Sequence, residues 1–281
     1  MRQPAPLVKL VITTGEPAGI GPEVSIVAAK QFLLEQPNAS ITLLGDQNLL
    51  KEALHGSNDD RLQVEVVPLI APSIPGVLDA QNSPYVIQLL DRAIDGCIAG
   101  QFDAMVTAPL QKSVINQSGL AFTGHTEYLA QRCSVKHVVM LLSATLNKGF
   151  LGISSARDFR VALVTTHLPL QKVSSSLSQE LILDTIQIVH RDLQLKMGIS
   201  NPVIRMSGLN PHAGESGYLG REEIDMISPA IDAAKKTGIN VSGPYPGDTM
   251  FDPKALEKVD AFIAMYHDQG LAPFKFITFG G

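Results

Sequence analysis

Short, unbroken apolar runs alternate with longer stretches of helical period, and this alternation most constrains the fold. Val8 to Thr13, Ile41 to Leu44, Val64 to Val67, Ala104 to Thr107, His137 to Leu142, Val161 to Thr166, Val203 to Ser207 and Ala261 to Tyr266 read as strands. Several are apolar without the every-second-residue polarity of a half-solvated sheet, so they predict mainly parallel sheets covered on both faces. Between them, Pro22 opens a helix at a position where its missing N–H costs nothing. Ser83 and Pro84 start another, whose apolar positions Val86, Leu90, Ala93 and Cys97 recur at helical spacing before Gly100. Ile182, Ile186, Val189, Leu193 and Met197 predict the buried stripe of a long helix, about 178–197, stopped by Gly198. Glu222 to Lys236 and a short helix begun by Asp252 and Pro253 complete the pattern. The terminal run Phe274 to Gly281 reads as strand-like, ending in a Gly-Gly turn.

The chain has 281 residues and 45% hydrophobic content, enough for one large domain or two smaller ones. Net charge is −5 and no basic tract stands out, which argues against a nucleic-acid partner. No apolar run approaches the roughly 20 residues that span a bilayer, and no leader-like segment opens the chain, so the expected setting is cytoplasmic with no membrane partner. The two cysteines, Cys97 and Cys133, lack metal-site spacing and read as buried, reduced thiols.

Seven histidines are present, and four share a pattern: His167 and His267 follow strands, His212 lies in the turn after one, and His125 lies in Phe122-Thr123-Gly124-His125-Thr126-Glu127, so three or four imidazoles could converge. Open parallel sheets place their ligand crevice at the carboxyl ends of the strands. Three neutral imidazoles with an open position make a catalytic site for zinc or a similar divalent ion. The plainer alternative is that each is a helix cap or a satisfied polar group. His190 reads as an exposed mid-helix residue, His55 as a loop residue, and His137 as a strand start.

Two segments could meet a phosphate. Thr123-Gly124-His125-Thr126 runs straight into a helix, whose free N–H groups attract anions; simple capping by Thr123 is the competing reading. Lys275, on an extended segment leaving the crevice, could pair with a carboxylate or phosphate, and Lys112 is a similar, weaker candidate. Asp248 sits in a turn and could orient a ligand histidine. The glycine-rich Gly15 to Glu23 turn is neither a dinucleotide fingerprint nor a Walker loop, and it leaves the cofactor-binding residues unassigned.

The motifs Gly15-Glu16-Pro17-Ala18-Gly19-Ile20-Gly21-Pro22, Thr123-Gly124-His125-Thr126-Glu127, Thr165-Thr166-His167-Leu168-Pro169, Leu209-Asn210-Pro211-His212-Ala213-Gly214-Glu215 and Ala264-Met265-Tyr266-His267-Asp268-Gln269-Gly270 closely resemble the 4-hydroxythreonine-4-phosphate dehydrogenase family of pyridoxal phosphate synthesis. The resemblance runs from about Leu10 to Gly281. It implies an α/β fold of two α/β/α lobes around a cleft, like isocitrate and isopropylmalate dehydrogenases, without a GxGxxG Rossmann domain. The expected division is 1–125 plus 265–281 in the first lobe and 126–264 in the second, which would carry a dimer interface. The resemblance further implies a homodimer with shared sites and NAD or NADP as cosubstrate. His167, His212 and His267 match metal ligands (for Zn, Mg or Co) contributed across the two chains, and His125, Thr126 and Lys275 match substrate-binding residues. The implied activity is oxidation of 4-phosphooxy-L-threonine, a small phosphorylated hydroxy amino acid. Family members continue past the position of Gly281 into further substrate-binding Asn and Arg residues and an SPDHGTA-like segment, so the expectation is that this chain is cut short. Competing expectations are a paralogous phosphothreonate or phosphoerythronate dehydrogenase and a three-histidine zinc hydrolase or lyase.

Overall fold

A computed structural model describes residues 7–56 and 59–278. Contacts divide the chain into two compact units, between Lys136 and His137. The first carries β1 (Val8–Thr13), α1 (Gly21–Glu35), β2 (Ala39–Gly45), α2 (Lys51–Gly56), β3 (Leu62–Val66), α3 (Ser83–Ile98), β4 (Ala104–Thr107), α4 (Lys112–Gln117) and α5 (His125–Arg132). Its sheet has the order β3-β2-β1-β4, and every pairing is parallel. Successive residues of β1 serve opposite faces. Val11 joins a core with Val86, Leu89 and Leu90 of α3, whereas Ile12 joins Ile26, Ala29 and Leu33 of α1. Coverage on both faces explains why β1 reads as a continuous apolar run.

The second unit carries β5 (Met140–Leu146), β6 (Arg157–Leu163), α6 (Val173–Ser176), α7 (Gln179–Leu195), β7 (Ile204–Ser207), α8 (Ser228–Lys236), β8 (Val241–Tyr245), α9 (Pro253–Lys258), β9 (Ala261–Ala264) and α10 (His267–Thr278). Its sheet has the order β5-β6-β9-β7-β8. Strand β5 is antiparallel to β6, and the remaining pairings are parallel. Ala162, Val164, Ile263 and Met206 meet Ile182, Ile186, Val189 and Leu193 of α7 on one face. Each of those α7 side chains is buried, contributing roughly 1.5–3 kcal/mol. On the other face, Phe159, Val161, Leu163 and Phe262 meet Leu271, Phe274 and Ile277 of α10.

Several expectations need correction. The terminal run is helical, so Lys275 lies in the last turn of a helix and not on an extended segment; residues 279–281 lie outside the described residues. Helix α10 packs on β5, β6 and β9, so the described part of 265–281 belongs with the second unit. Its buried positions Leu271, Phe274 and Ile277 recur every three residues, a helical period that Phe276, 86% exposed, obscures in the sequence. Cys97 is half-buried, but Cys133 is exposed beyond α5. His190 is half-buried, not exposed, and its Nδ1 is a buried atom without a hydrogen-bond partner. Helix α7 ends at Leu195, which leaves Met197 outside its stripe and exposed. Strand β5 begins at Met140, after His137, which pairs through Nε2 with the Thr185 hydroxyl at 3.2 Å. His55 lies in α2, not in a loop.

Candidate active site at three strand ends

Strands β6, β9 and β7 are adjacent and parallel, so their carboxyl ends share one edge of the second unit's sheet. His167 lies shortly beyond β6, His267 opens α10 beyond β9, and His212 lies beyond β7. The rings of His167 and His267 are 5.3 Å apart at 46°. Two imidazoles bound to one zinc-like ion place their ring centres about 5 Å apart, given Zn–N bonds of about 2.0–2.1 Å. His267 Nδ1 lies 2.7 Å from Asp268 Oδ1. With that carboxylate ionised, Nδ1 carries the proton and Nε2 keeps its lone pair, the tautomer a metal ligand needs.

His212 lines a neighbouring recess of about 680 Å³ together with Asp248, Gln269 and Tyr266. Tyr266 and Asp268 also line the recess that holds His167 and His267. Among the described residues no group of three or more His, Cys, Asp or Glu side chains closes into a metal site. The donor chemistry and the His167–His267 spacing therefore fit a divalent ion, with the third donor not assembled on them in the single chain.

The strand ends are cross-tied by residues that sequence reasoning missed. Thr165 donates through both its backbone N–H, at 3.1 Å, and its hydroxyl, at 2.8 Å, to the Met265 carbonyl. Gln269 accepts from the Met265 N–H at 2.7 Å and donates to the Gly208 carbonyl at 2.7 Å. These bonds lace the His167, His267 and His212 segments together. The His212 loop is unusual in itself. His212, Ala213, Glu215 and Ser216 all have φ between 45° and 57°, and Gly214 has φ 78°. Left-handed backbone costs roughly 1–2 kcal/mol for each residue bearing a Cβ. Such a run persists only where its surroundings over-determine it.

The other predicted site residues divide between the units. His125 and Thr126 open α5 in the first unit. The cap of α5 is Gly124, and no side chain caps the helix, so Thr123 does not fill that role. Gly124 has φ 153°, and a Cβ there would stand 2.9 Å from Lys112 Nζ. Burial, with the Lys112 ammonium nearby, pushes the His125 imidazole below its ordinary value. His125 Nε2 is buried without a hydrogen-bond partner. Lys275 lies in the second unit, on α10.

With this geometry in place, comparison with known proteins decides the family. Residues 23–281 match the family described as pyridoxal phosphate biosynthetic protein PdxA. The chain belongs to this family. It is 49% identical over 283 residues to 4-hydroxythreonine-4-phosphate dehydrogenase of Burkholderia vietnamiensis, covering 98% of this chain and 84% of that protein. It is 47% identical over 292 residues to the Cupriavidus pinatubonensis protein of the same name, covering 99% and 82%. A crystal structure of 4-hydroxythreonine-4-phosphate dehydrogenase from Klebsiella pneumoniae superimposes with a TM-score of 0.81 at 30% identity, covering 97% of this chain and 85% of that one. The chain is thus an enzyme of this dehydrogenase family with its α/β, largely parallel-sheet fold. Among the described residues no helix is long and apolar enough to cross a membrane.

Proposed function

We propose that the chain oxidises the C3 hydroxyl of 4-phosphooxy-L-threonine with NAD or NADP, giving a 3-keto acid that decarboxylates to 3-amino-2-oxopropyl phosphate. The observation that carries this reading is the pairing of His167 and His267, ring centres 5.3 Å apart, at the sheet edge where the strand leading to His212 also ends. A divalent ion (Zn, Mg or Co) held by these histidines would supply Lewis acidity toward the hydroxyl and the developing ketone. The nicotinamide, when bound, is the hydride acceptor.

The chain's own residues bind and orient. An Asp268 carboxylate that accepts from His267 Nδ1–H would leave the Nε2 lone pair for the ion. Asp248, which lines the same recess as His212, would bind the substrate or orient that imidazole. His125, Thr126 and Lys275 anchor the phosphate. Because His125 is held neutral, the positive charge at that end comes from lysine. Binding energy gathered at the phosphate, remote from C3, serves orientation. A homodimer with shared sites, cytoplasmic residence and an isocitrate/isopropylmalate dehydrogenase-like fold belong to the same reading.

The test is NADH formation from 4-phosphooxy-L-threonine with and without a chelator, alongside His212→Ala. Turnover lost to the chelator and to the substitution supports the reading. Undiminished turnover in His212→Ala removes that residue from the ligand set. Absence of NADH from metal-loaded wild type sends the search to phosphothreonate and phosphoerythronate.

A further inference from the structure

The carboxylate of Glu223 is buried, 3% exposed, at the centre of the loop that carries His212. It sits just before α8, in a wide helical turn over Glu223–Ile227. One oxygen accepts from the backbone N–H of Leu209 at 2.7 Å and of Asn210 at 2.8 Å. The other accepts from the Asn210 side-chain amide at 3.0 Å. The loop closes on this carboxylate from both ends. A Cβ at Gly208 would stand 2.9 Å from one Glu223 oxygen, and a Cβ at Gly214 would stand 2.5 Å from the other. His212 lies between those two glycines, inside the left-handed run.

Asn210 extends the grip. Its amide also donates to Glu222 at 2.7 Å, and Glu222 accepts from the Ser174 hydroxyl at 2.6 Å. Ser174 belongs to α6, in the segment that follows His167. Adjacent carboxylates thus take both hydrogens of one amide, and one of them reaches across to the His167 side.

We propose that Glu223, through its bonds to Leu209 and Asn210, is a positioning residue that fixes His212 for metal binding, and that Glu222 sets its loop against the His167 segment. This rests on the reading of His212 as a metal ligand. A buried carboxylate with three N–H donors is a fixed anchor. Groups bonded directly to a ligand govern metal affinity by about 10–100-fold, and Glu223, acting through the loop backbone, is expected at the lower end of that range.

The test uses the whole purified chain, with Co²⁺ as the probe of affinity and of the visible ligand-field spectrum, and with unfolding of the metal-free protein measured in parallel. Glu223→Gln is expected to weaken Co²⁺ binding by about 10-fold or more and to shift the spectrum. Asn210→Ala, which leaves the buried carboxylate its two backbone donors, is expected to fall between Glu223→Gln and wild type. That second variant carries the test if Glu223→Gln does not fold. His212→Ala is the reference. If it loses Co²⁺ affinity while Glu223→Gln and Asn210→Ala keep wild-type affinity and spectrum, the positioning role is refuted and the ligand assignment stands. Lower unfolding temperatures with unchanged Co²⁺ behaviour would make Glu223 merely structural and overturn the proposal. If His212→Ala itself binds Co²⁺ like wild type, the ligand assignment fails and the positioning role falls with it.

Discussion

The Tyr128 hydroxyl donates to the Asp91 carboxylate at 2.6 Å, tying α5 to α3. The same oxygen accepts from Arg132 Nε at 2.8 Å. Burial, and then this bond, push the Tyr128 phenol up to about 12. A phenol that holds its proton more tightly when folded stabilises the fold below the ordinary tyrosine value near 10. That contribution is lost as pH rises from about 10 through about 12. Tyr128→Phe should cost about 1 kcal/mol at neutral pH. Its unfolding midpoint should also fall less between pH 10 and 12 than that of wild type, which denaturant titrations across that window would measure.

His125 offers a second pH signature. Its imidazole is depressed chiefly by burial and then by Lys112. A base held neutral in the fold contributes stability that is present above the unfolded value near 6.5 and is lost as pH falls through the folded one. Lys112→Met should raise the His125 titration, followed by the ring proton resonances, without restoring it fully. Full restoration would mean that the ammonium, and not burial, is the main cause.

Phe274 stacks on Phe159 with ring centres 5.5 Å apart at 20°. Phe274→Ala should destabilise the chain by about 3–5 kcal/mol. Lys275→Ala, next to it on the exposed side of the helix, should cost no more than about 1 kcal/mol and instead weaken binding of phosphorylated substrate. Chemical denaturation beside a KM measurement separates the two.

Glycines in the first turn make a matched pair. A Cβ at Gly21 would stand 2.1 Å from the Thr14 carbonyl oxygen, whereas one at Gly19 meets nothing closer than 3.4 Å. Gly21→Ala should therefore cost about 3 kcal/mol or more, through forced backbone movement. Gly19→Ala should change stability by less than about 1 kcal/mol. Thermal unfolding of the two variants decides it.

The sheets were legible because their strands are apolar on both faces, and α7 because Ile182, Ile186, Val189 and Leu193 keep strict helical spacing. Strand-end placement of His167, His212 and His267 followed from the same reading. Helix α10 was not legible, since Phe276 adds an exposed apolar residue to a buried period. Nor were Glu223, Asn210 and Gln269. Their roles lie in hydrogen bonds that no local pattern encodes, although Gln269 reaching Gly208 spans residues far apart in the chain. The left-handed run at His212 gave one usable signal, Gly208 and Gly214 flanking a histidine. Four of the positive-φ residues there carry side chains, so no glycine pattern marks the run itself.

The shared edge formed by β6, β9 and β7 also has an opposite edge, where the same three strands begin. Residues 153–156, 199–203 and 259–260 lead into them there. Hydrogen-bonded register fixes the strands, so peptide inserted at 199–203 has to be absorbed before β7 starts and leaves its histidine end where it was. At that edge Ile153 and Val259 are buried and Asp260 is bonded to Val203, so the exposed Ser200 and Asn201 are where an insertion can be absorbed, whereas at the other edge a single added residue would put the imidazoles out of step.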